Sequence, residues 1–108
     1  METFCGRGHL PGTDRERDIE VEIDWMTKEV NVHIEGITEG ISDWPGLVPQ
    51  TFGPMDEIVF RTKGIPRLFT HWWHFVRNGS GGLWGIVLGL PDRDGVWRTC
   101  SLQLEKVT

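Results

Sequence analysis

The sequence predicts an α+β domain in which one helix packs on a face of an antiparallel sheet of about five strands. Two segments alternate apolar and polar residues with a period of two, and a third places its apolar residues on a single helical arc. The chain also has no alanine but 14 glycines, a composition that favours strands and turns over helices. The predicted order is a β-hairpin, a long loop, a strand, the helix and a second β-hairpin.

The N-terminal segment, residues 1–17, is predicted to be an irregular arm ahead of a single compact domain at 18–108. Glycine and proline recur between residues 6 and 12 and interrupt any periodic pattern, and the charged residues 14–17 follow. The first residues of a domain are often poorly ordered unless packing holds them in place. We therefore expect partial disorder at the start of the chain.

Residues 18–35 give the clearest strand signal and predict a hairpin connected by residues 26–29. The apolar residues occupy every second position, at Ile19, Val21, Ile23, Trp25, Val30, Val32 and Ile34. Residues opposite each other in an antiparallel pair share a face, so His33 must face either Glu20 or Glu22. Either register places His33 beside a glutamate on the outer face.

A Gly/Pro-rich connection is predicted at residues 36–55, with Trp44 at its tip or acting as its anchor. Twenty residues without clear periodicity are unusual inside a compact domain, and such loops are often functional. Residues 58–63 then read as a short strand, which Gly64 and Pro66 terminate.

Residues 65–78 are predicted to form the helix. At about 100° per residue, the apolar side chains fall in one arc of roughly 160°, and these are Ile65, Leu68, Phe69, Trp72, Trp73, Phe75 and Val76. Pro66 suits a first helical turn, and Asn78 with Gly79 suits a helix end. Against the helix, Thr, Trp, Phe and Val favour strands, and no good N-cap precedes the segment. Without the helix, the domain becomes an all-β sandwich or barrel.

Residues 83–107 are predicted to form the second hairpin, turning at residues 91–95. Its inward side chains are expected to be Trp84, Ile86, Leu88 and Leu90, followed by Val96, Cys100, Leu102 and Leu104. Gly85 and Gly89 leave the other face of the first strand bare, so a backbone or a large aromatic side chain is expected to pack there.

Charge and hydropathy exclude several classes of function. With 11 basic and 16 acidic residues in 108, the net charge of −5 argues against a sequence-independent nucleic-acid binder. The chain lacks the run of about 18 apolar residues that a membrane span needs. No apolar signal region is evident near the N-terminus, so we expect an intracellular location. The two cysteines do not form a disulfide framework.

An acidic stripe is predicted along the outer face of the first hairpin. Asp18, Glu20, Glu22 and Asp24 share one face of the first strand, and His33 lies beside them. The stripe is either a solvated strand face or a docking site for a basic partner. Stacked carboxylates repel each other, and this cost makes a partner plausible. A base formed by His33 and a glutamate would lack a nucleophile, so we do not favour an enzyme.

A metal site is the second hypothesis. His71 and His74 share one face of the predicted helix and could hold zinc, which usually takes four ligands. The remaining ligands would come from Cys5, His9 or His33, because the chain has no Cys-x-x-Cys pair. The competing interpretation is two histidines on a polar helix face. No other cofactor is expected.

Trp97 is the third candidate, because it shares an outward phase with Thr99, Ser101 and Gln103. An outward tryptophan could stack on a sugar ring or anchor a protein partner. Alternatively, the 36–55 loop covers it, with Trp97 packing on Trp44 or Gly85.

Taken together, these patterns predict a non-catalytic protein-interaction or assembly module that binds a protein partner or a second copy of itself. The alternatives are a zinc-binding domain that uses His71 and His74, and a carbohydrate-binding β module that uses an exposed tryptophan. The predicted partner-binding residues are Asp18, Glu20, Glu22, Asp24, His33, Trp44 and Trp97.

Overall fold

The computed structural model describes residues 1–36, 47–52, 57–62, 71–89 and 94–107, with the backbone alone at 47–52. These residues are all-β and contain no helix. They form the strands β1 (Glu2–Gly8), β2 (Arg17–Asp24), β3 (Glu29–Ile34), β4 (Leu47–Phe52), β5 (Glu57–Thr62), β6 (Trp72–Arg77), β7 (Leu83–Leu88) and β8 (Thr99–Lys106). Within this described part, no helix is long and apolar enough to cross a bilayer.

Each strand runs antiparallel to its neighbour in the chain, and β8 pairs back onto β1 to close the sheet into a barrel. Antiparallel neighbours need only short connections, which suits a chain rich in turn residues. Among the described residues, β2 and β3 pair over six positions, and β3 pairs with β4 through Val30 and Leu47.

The core fills the inside of this curled sheet with alternate residues from each strand. Three of its largest members, Phe60, Trp73 and Phe75, form an aromatic cluster with ring centroids 5.7–6.2 Å apart. The buried apolar side chains are Phe4, Leu10, Ile19, Val21, Ile23, Val30, Val32, Ile34, Ile58, Phe60, Trp73, Phe75, Leu83, Val87, Leu102 and Leu104. Burying one such large side chain stabilises the fold by about 1.5–3 kcal/mol.

The predicted helix is wrong, and with it the α+β class. Residues 72–77 form β6, a strand paired with β5 on one side and β7 on the other, while 63–70 lie outside the described residues. Both faces of β6 carry large apolar groups, because Trp73 is buried in the core and Trp72 lies on the outer surface. When both faces of a strand are apolar, the same residues can also fall within one helical arc, so the periodicity did not distinguish a strand from a helix. The preference of Trp, Phe and Val for strands was the better guide to β6. The observed class is all-β.

The irregular N-terminal arm is also a wrong prediction. Residues 2–8 form β1, which pairs with β2 over seven positions, and Leu10 beyond it is buried. Glycine appeared to break the strand pattern, but Gly8 occupies an inward position. A Cβ there would overlap the Leu102 side chain. Glycine therefore makes room for a leucine from the neighbouring strand instead of ending the sheet.

Both predicted hairpins are present, but the inward and outward faces of β7 are exchanged relative to the prediction. β2 and β3 pair in the register that places His33 opposite Glu20, one of the two expected. β7 and β8 pair as expected, and Leu102 and Leu104 are buried. On β7 the facing is opposite to the prediction, since Leu83 and Val87 are buried while Trp84 and Ile86 are exposed. β7 is apolar in both phases, so its sequence alone could not decide its facing.

Two smaller predictions also have outcomes. The short strand expected at 58–63 is β5, which spans Glu57–Thr62. The predicted loop at 36–55 contains β4. Trp44 and the other residues of 37–46 and 53–56 lie outside the described residues.

Candidate interaction surfaces

The acidic stripe lies on the outer face of β2, as the alternation predicted, but most of its carboxylates have partners within the chain. An Arg7 Nη1–H group donates to Asp18 Oδ1 at 2.5 Å. His33 Nε2 lies 2.8 Å from Glu22 Oε1, although the residue directly opposite His33 is Glu20, two residues earlier on β2. The negative charge available to a basic partner is therefore smaller than the sequence suggests.

Asp24 accepts hydrogen bonds from backbone groups of the turn between β2 and β3. Its Oδ1 accepts the backbone N–H groups of Met26 at 3.0 Å and Thr27 at 3.2 Å. These hydrogen bonds, that of Thr27 first, lower the pKa of Asp24 because they stabilise its ionised form. Asp24 therefore stabilises the turn, and its predicted contact with a partner stays a prediction.

Two arginines near the start of β2 pair with further acidic groups at this end of the barrel: Arg15 precedes the strand, and Arg17 is its first residue. Arg15 Nη1 lies 2.8 Å from Glu35 Oε1, and Arg17 Nη2 lies 2.6 Å from Asp14 Oδ1. Arg17 is buried, and its Nη1–H also donates to the Glu35 carbonyl oxygen at 2.8 Å. The region is a mixed-charge network.

Cys5, Glu20 and His33 form a row across β1, β2 and β3, beside an open groove of about 780 Å³. Burial, and then the negative charges of Glu20 and Asp18, raise the pKa of the Cys5 thiol. The nucleophilic form of cysteine is the thiolate, which this setting disfavours. The row therefore lacks an activated nucleophile. Among the described residues, no group of three or more His, Cys, Asp or Glu side chains is arranged to hold a metal ion.

His71 and His74 do not come together. His71 precedes β6 and is buried, with its Nε2–H donating to the Pro11 carbonyl oxygen at 2.6 Å. His74 is exposed on the outer face of β6, 3.1 Å from Glu57 Oε1. The shared helical face that the zinc hypothesis required is absent from this strand. Zinc binding stays a prediction without support from the described geometry.

Trp97 is 55% exposed in the connection between β7 and β8, which agrees with its outward phase. Its proposed neighbour Trp44 lies outside the described residues. Cys5 and Cys100 are both free thiols, and Cys100 is partly buried against the core.

A larger apolar patch, which the sequence analysis missed, lies on the outer faces of β6 and β7. Its three main exposed side chains are Trp84 at 54%, Ile86 at 45% and Trp72 at 39%. Partly buried apolar side chains join them, and we call the whole set the aromatic surface: Trp72, Val76, Trp84, Ile86 and Leu88.

The strand register arranges this surface in three rows across β5, β6, β7 and β8. The first row is Glu57, Val76, Trp84 and Gln103; the second is Val59, His74, Ile86 and Ser101; the third is Arg61, Trp72, Leu88 and Thr99. In the third row, the Arg61 guanidinium lies 5.6 Å from the centroid of a Trp72 ring, within cation–π range. Uncharged polar residues of β8 border the patch on one side.

A groove of about 190 Å³ runs beside Trp84, over the backbone of Gly85. Its other lining residues are His74, Val76 and Ile86. A Cβ at Gly85 would overlap the His74 carbonyl oxygen, so the close approach of β6 and β7 requires glycine here. A cavity of about 150 Å³ lined by apolar side chains can hold a benzene ring, so the groove has room for one side chain.

The sequence contained a signal that could have located the aromatic surface. Leu102 and Leu104 alternate with polar residues, so the facing of β8 was clear. Pairing Leu102 with Gly85 then turns Trp84 outward, opposite Gln103. The sequence located the turn between β7 and β8 but did not fix which residues of the two strands pair, and without that register the facing of Trp84 could not be assigned.

The acidic stripe and the aromatic surface lie on opposite sides of the barrel. β2 and β6 are four strands apart in a closed order of eight. A partner on one side therefore leaves the other side free.

Comparison of the chain with protein-family models, curated proteins and solved structures found no match.

Proposed function

We propose that this chain is a non-catalytic interaction module that binds protein through the aromatic surface. The observation that carries the proposal is the exposure of Trp84, Ile86 and Trp72 together on one outer face. Contiguous exposed apolar patches mark interaction sites, whereas single exposed apolar residues need no explanation. Tryptophan is also enriched among the residues that dominate binding energy.

The acidic stripe is the weaker candidate for the docking site. A basic partner would have to displace Arg7 from Asp18 or share Glu22 with His33. Exposed ion pairs of this kind contribute only about 0–1 kcal/mol each, so exchanging one for another gains little. The stripe is better suited to steering a partner during its approach.

Carbohydrate binding is a second candidate, and one observation favours it. Trp84 lies directly beside Gln103, so an aromatic ring and a hydrogen-bonding side chain share one row. However, the groove at Gly85 offers only His74 as a polar side chain. A sugar presents many hydroxyl groups that lose water on binding and need replacement hydrogen bonds. Protein side chains match this lining better.

The test is selection of a phage-displayed random peptide library on the immobilised protein. The variant is Trp84→Thr combined with Ile86→Thr, since threonine is polar and favours strands. We expect peptides that bind the wild type and lose at least about tenfold in affinity on this variant, the scale of losing a binding hot spot. The matched control is Met26→Gln, which removes an exposed apolar side chain from the β2–β3 turn.

Three outcomes would contradict the proposal. One is the absence of enriched peptides. Another is enrichment of peptides that bind the double variant as well as the wild type but lose affinity on Glu20→Gln, which would move the site to the acidic stripe. The third is binding in a parallel panel of soluble glycans, lost in the double variant, which would favour carbohydrate. Circular dichroism and thermal melting would verify that each variant folds.

A further inference from the structure

We infer that the aromatic surface binds a second copy of this chain, forming a symmetric dimer around the middle row of the three. This inference rests on the proposed function and names its partner. A twofold interface must be self-complementary, because each residue meets the same surface on its partner. The strand register allows that condition to be examined position by position.

A twofold axis along the middle row exchanges the first row with the third. Glu57 of one copy then faces Arg61 of the other, and these two residues stand at opposite ends of β5. Opposite charges therefore meet twice along the β5 side of the contact, once at each end of the strand. The same rotation places uncharged Gln103 opposite uncharged Thr99 on β8.

The sizes of the side chains match under the same rotation. Trp84 of the first row faces Leu88 of the third row, and Trp72 faces Val76. Each exposed tryptophan thus meets a smaller, partly buried aliphatic side chain, and the groove beside Trp84 receives side chains of the second copy. The axis runs along the middle row, so each of its residues faces itself: Val59, His74, Ile86 and Ser101.

The distribution of charge also favours this face over others. The chain carries a net charge of −5, so two copies repel each other unless they meet through a neutral face. On the aromatic surface, His74 lies 3.1 Å from Glu57 and the Arg61 guanidinium covers Trp72. The acidic stripe on β2 points away from the contact in both copies, because β2 is on the opposite side of the barrel.

The size of the patch sets the expected strength of the dimer. Three rows on four strands span roughly 20 Å in each direction, from the usual strand spacing and rise. Such a patch is smaller than the roughly 800 Å² that each partner buries in a standard interface. We therefore expect a weak dimer with a micromolar dissociation constant.

The first measurement is sedimentation equilibrium of the purified chain from about 5 to 500 µM, a range that spans such a constant. We expect a monomer–dimer equilibrium that Trp84→Thr with Ile86→Thr weakens at least about tenfold and that Met26→Gln leaves unchanged. A chain that stays monomeric throughout, or a dimer that the double variant leaves intact, would overturn the inference.

Charge reversal tests the axis itself. Glu57→Arg alone would place two arginines opposite each other, and Arg61→Glu alone would oppose two glutamates, so each should weaken the dimer. The two substitutions together restore opposite charges and should recover dimer formation to within about fivefold of the wild type, since an exposed pair contributes at most about 1 kcal/mol, which corresponds to about that factor. Failure of the combined variant to recover would exclude this axis.

The experiments distinguish the inference from the proposed function. A monomeric chain that still selects peptides through the aromatic surface would refute the dimer and keep the interaction module. A monomeric chain that selects no peptides would refute both.

Discussion

The environment of His71 shows how a single buried residue makes the fold sensitive to pH. Its Nε2–H is bound to the Pro11 carbonyl oxygen, and its Nδ1 has no hydrogen-bond partner among the residues that the structure describes. Burial lowers the pKa of His71, because the charged form would lose its water, and the Pro11 hydrogen bond opposes this effect only in part. The neutral ring is therefore the form that the folded chain accommodates.

The stability that neutral His71 contributes should disappear in mild acid. Its pKa is lower in the folded chain than the ordinary value of 6.5, so the unfolded chain takes up the proton first. The contribution is fully present above about pH 6.5 and is lost as the pH falls below that value towards the folded-state pKa. Urea unfolding at several pH values from 7.5 to 5 should show this loss in the wild type.

The matched variant for this test is His71→Gln, which keeps an N–H donor but does not titrate in this range. We expect its stability to fall less between pH 7.5 and pH 5 than that of the wild type. Equal losses in the two proteins would show that the acid sensitivity arises elsewhere.

At the scale of elements, the ion pair between Glu2 and Arg77 ties β1 to β6 across one end of the barrel. Arg77 donates from Nη1 to Glu2 Oε2 at 2.9 Å and from Nη2 to Oε1 at 3.3 Å. Its guanidinium also lies 4.9 Å from the centroid of a Trp25 ring. The Arg77 hydrogen bond is the main reason why the pKa of Glu2 is lowered, so this contribution is present above about pH 4.5 and is lost in stronger acid.

Arg77→Lys should destabilise the fold by about 1–2 kcal/mol, because lysine replaces neither the two-pronged hydrogen bond nor the stacking on Trp25. Arg15→Lys is the control, since Arg15 pairs with Glu35 at a more exposed position and should cost less than about 0.5 kcal/mol. Urea unfolding at pH 7 measures both. Equal losses of unfolding free energy in the two variants would mean that the ion pair between Glu2 and Arg77 contributes no more than an exposed surface pair.

How well each element could be predicted depended on whether its two faces differ in polarity. β2 and β3 are polar on the outside and apolar on the inside, so alternation alone predicted the hairpin and limited its register to two alternatives, of which the structure has the one that places His33 opposite Glu20. β6 and β7 are apolar on both faces, so the period was misread on β6 and the facing was reversed on β7. The same ambiguity hid the aromatic surface, because an exposed tryptophan and a core tryptophan give the same local pattern.

For the whole molecule, the predicted irregular arm at residues 1–17 hid the architecture, because the N-terminal residues form the strand that completes the barrel. β1 pairs with β2 on one side and with β8 on the other, and the Val107 N–H donates to the Thr3 carbonyl oxygen at 2.8 Å. A pattern of glycines cannot reveal such a strand, because its glycines make room for leucines that are distant in the sequence.

Phe4→Ala should therefore cost about 3–5 kcal/mol of unfolding free energy, the range for removing a buried phenylalanine. An irregular arm would predict almost no change. Chemical denaturation of the wild type and the variant distinguishes the two cases, and Thr3→Ala, on the outer side of the same strand, is the neighbouring control. A cost below about 1 kcal/mol for Phe4→Ala would place β1 outside the cooperative core.

The pairing of β1 with β8 joins residues that are far apart in the sequence. Phe4 pairs with Lys106 and Cys5 with Glu105, so most of the chain lies between the partners. Contacts between such distant residues form slowly, because closing a long loop costs conformational entropy. We therefore expect closure of the barrel to be a late step of folding. In a refolding experiment followed by hydrogen exchange, the amide protons of β8 that face β1 should gain protection after those that face β7.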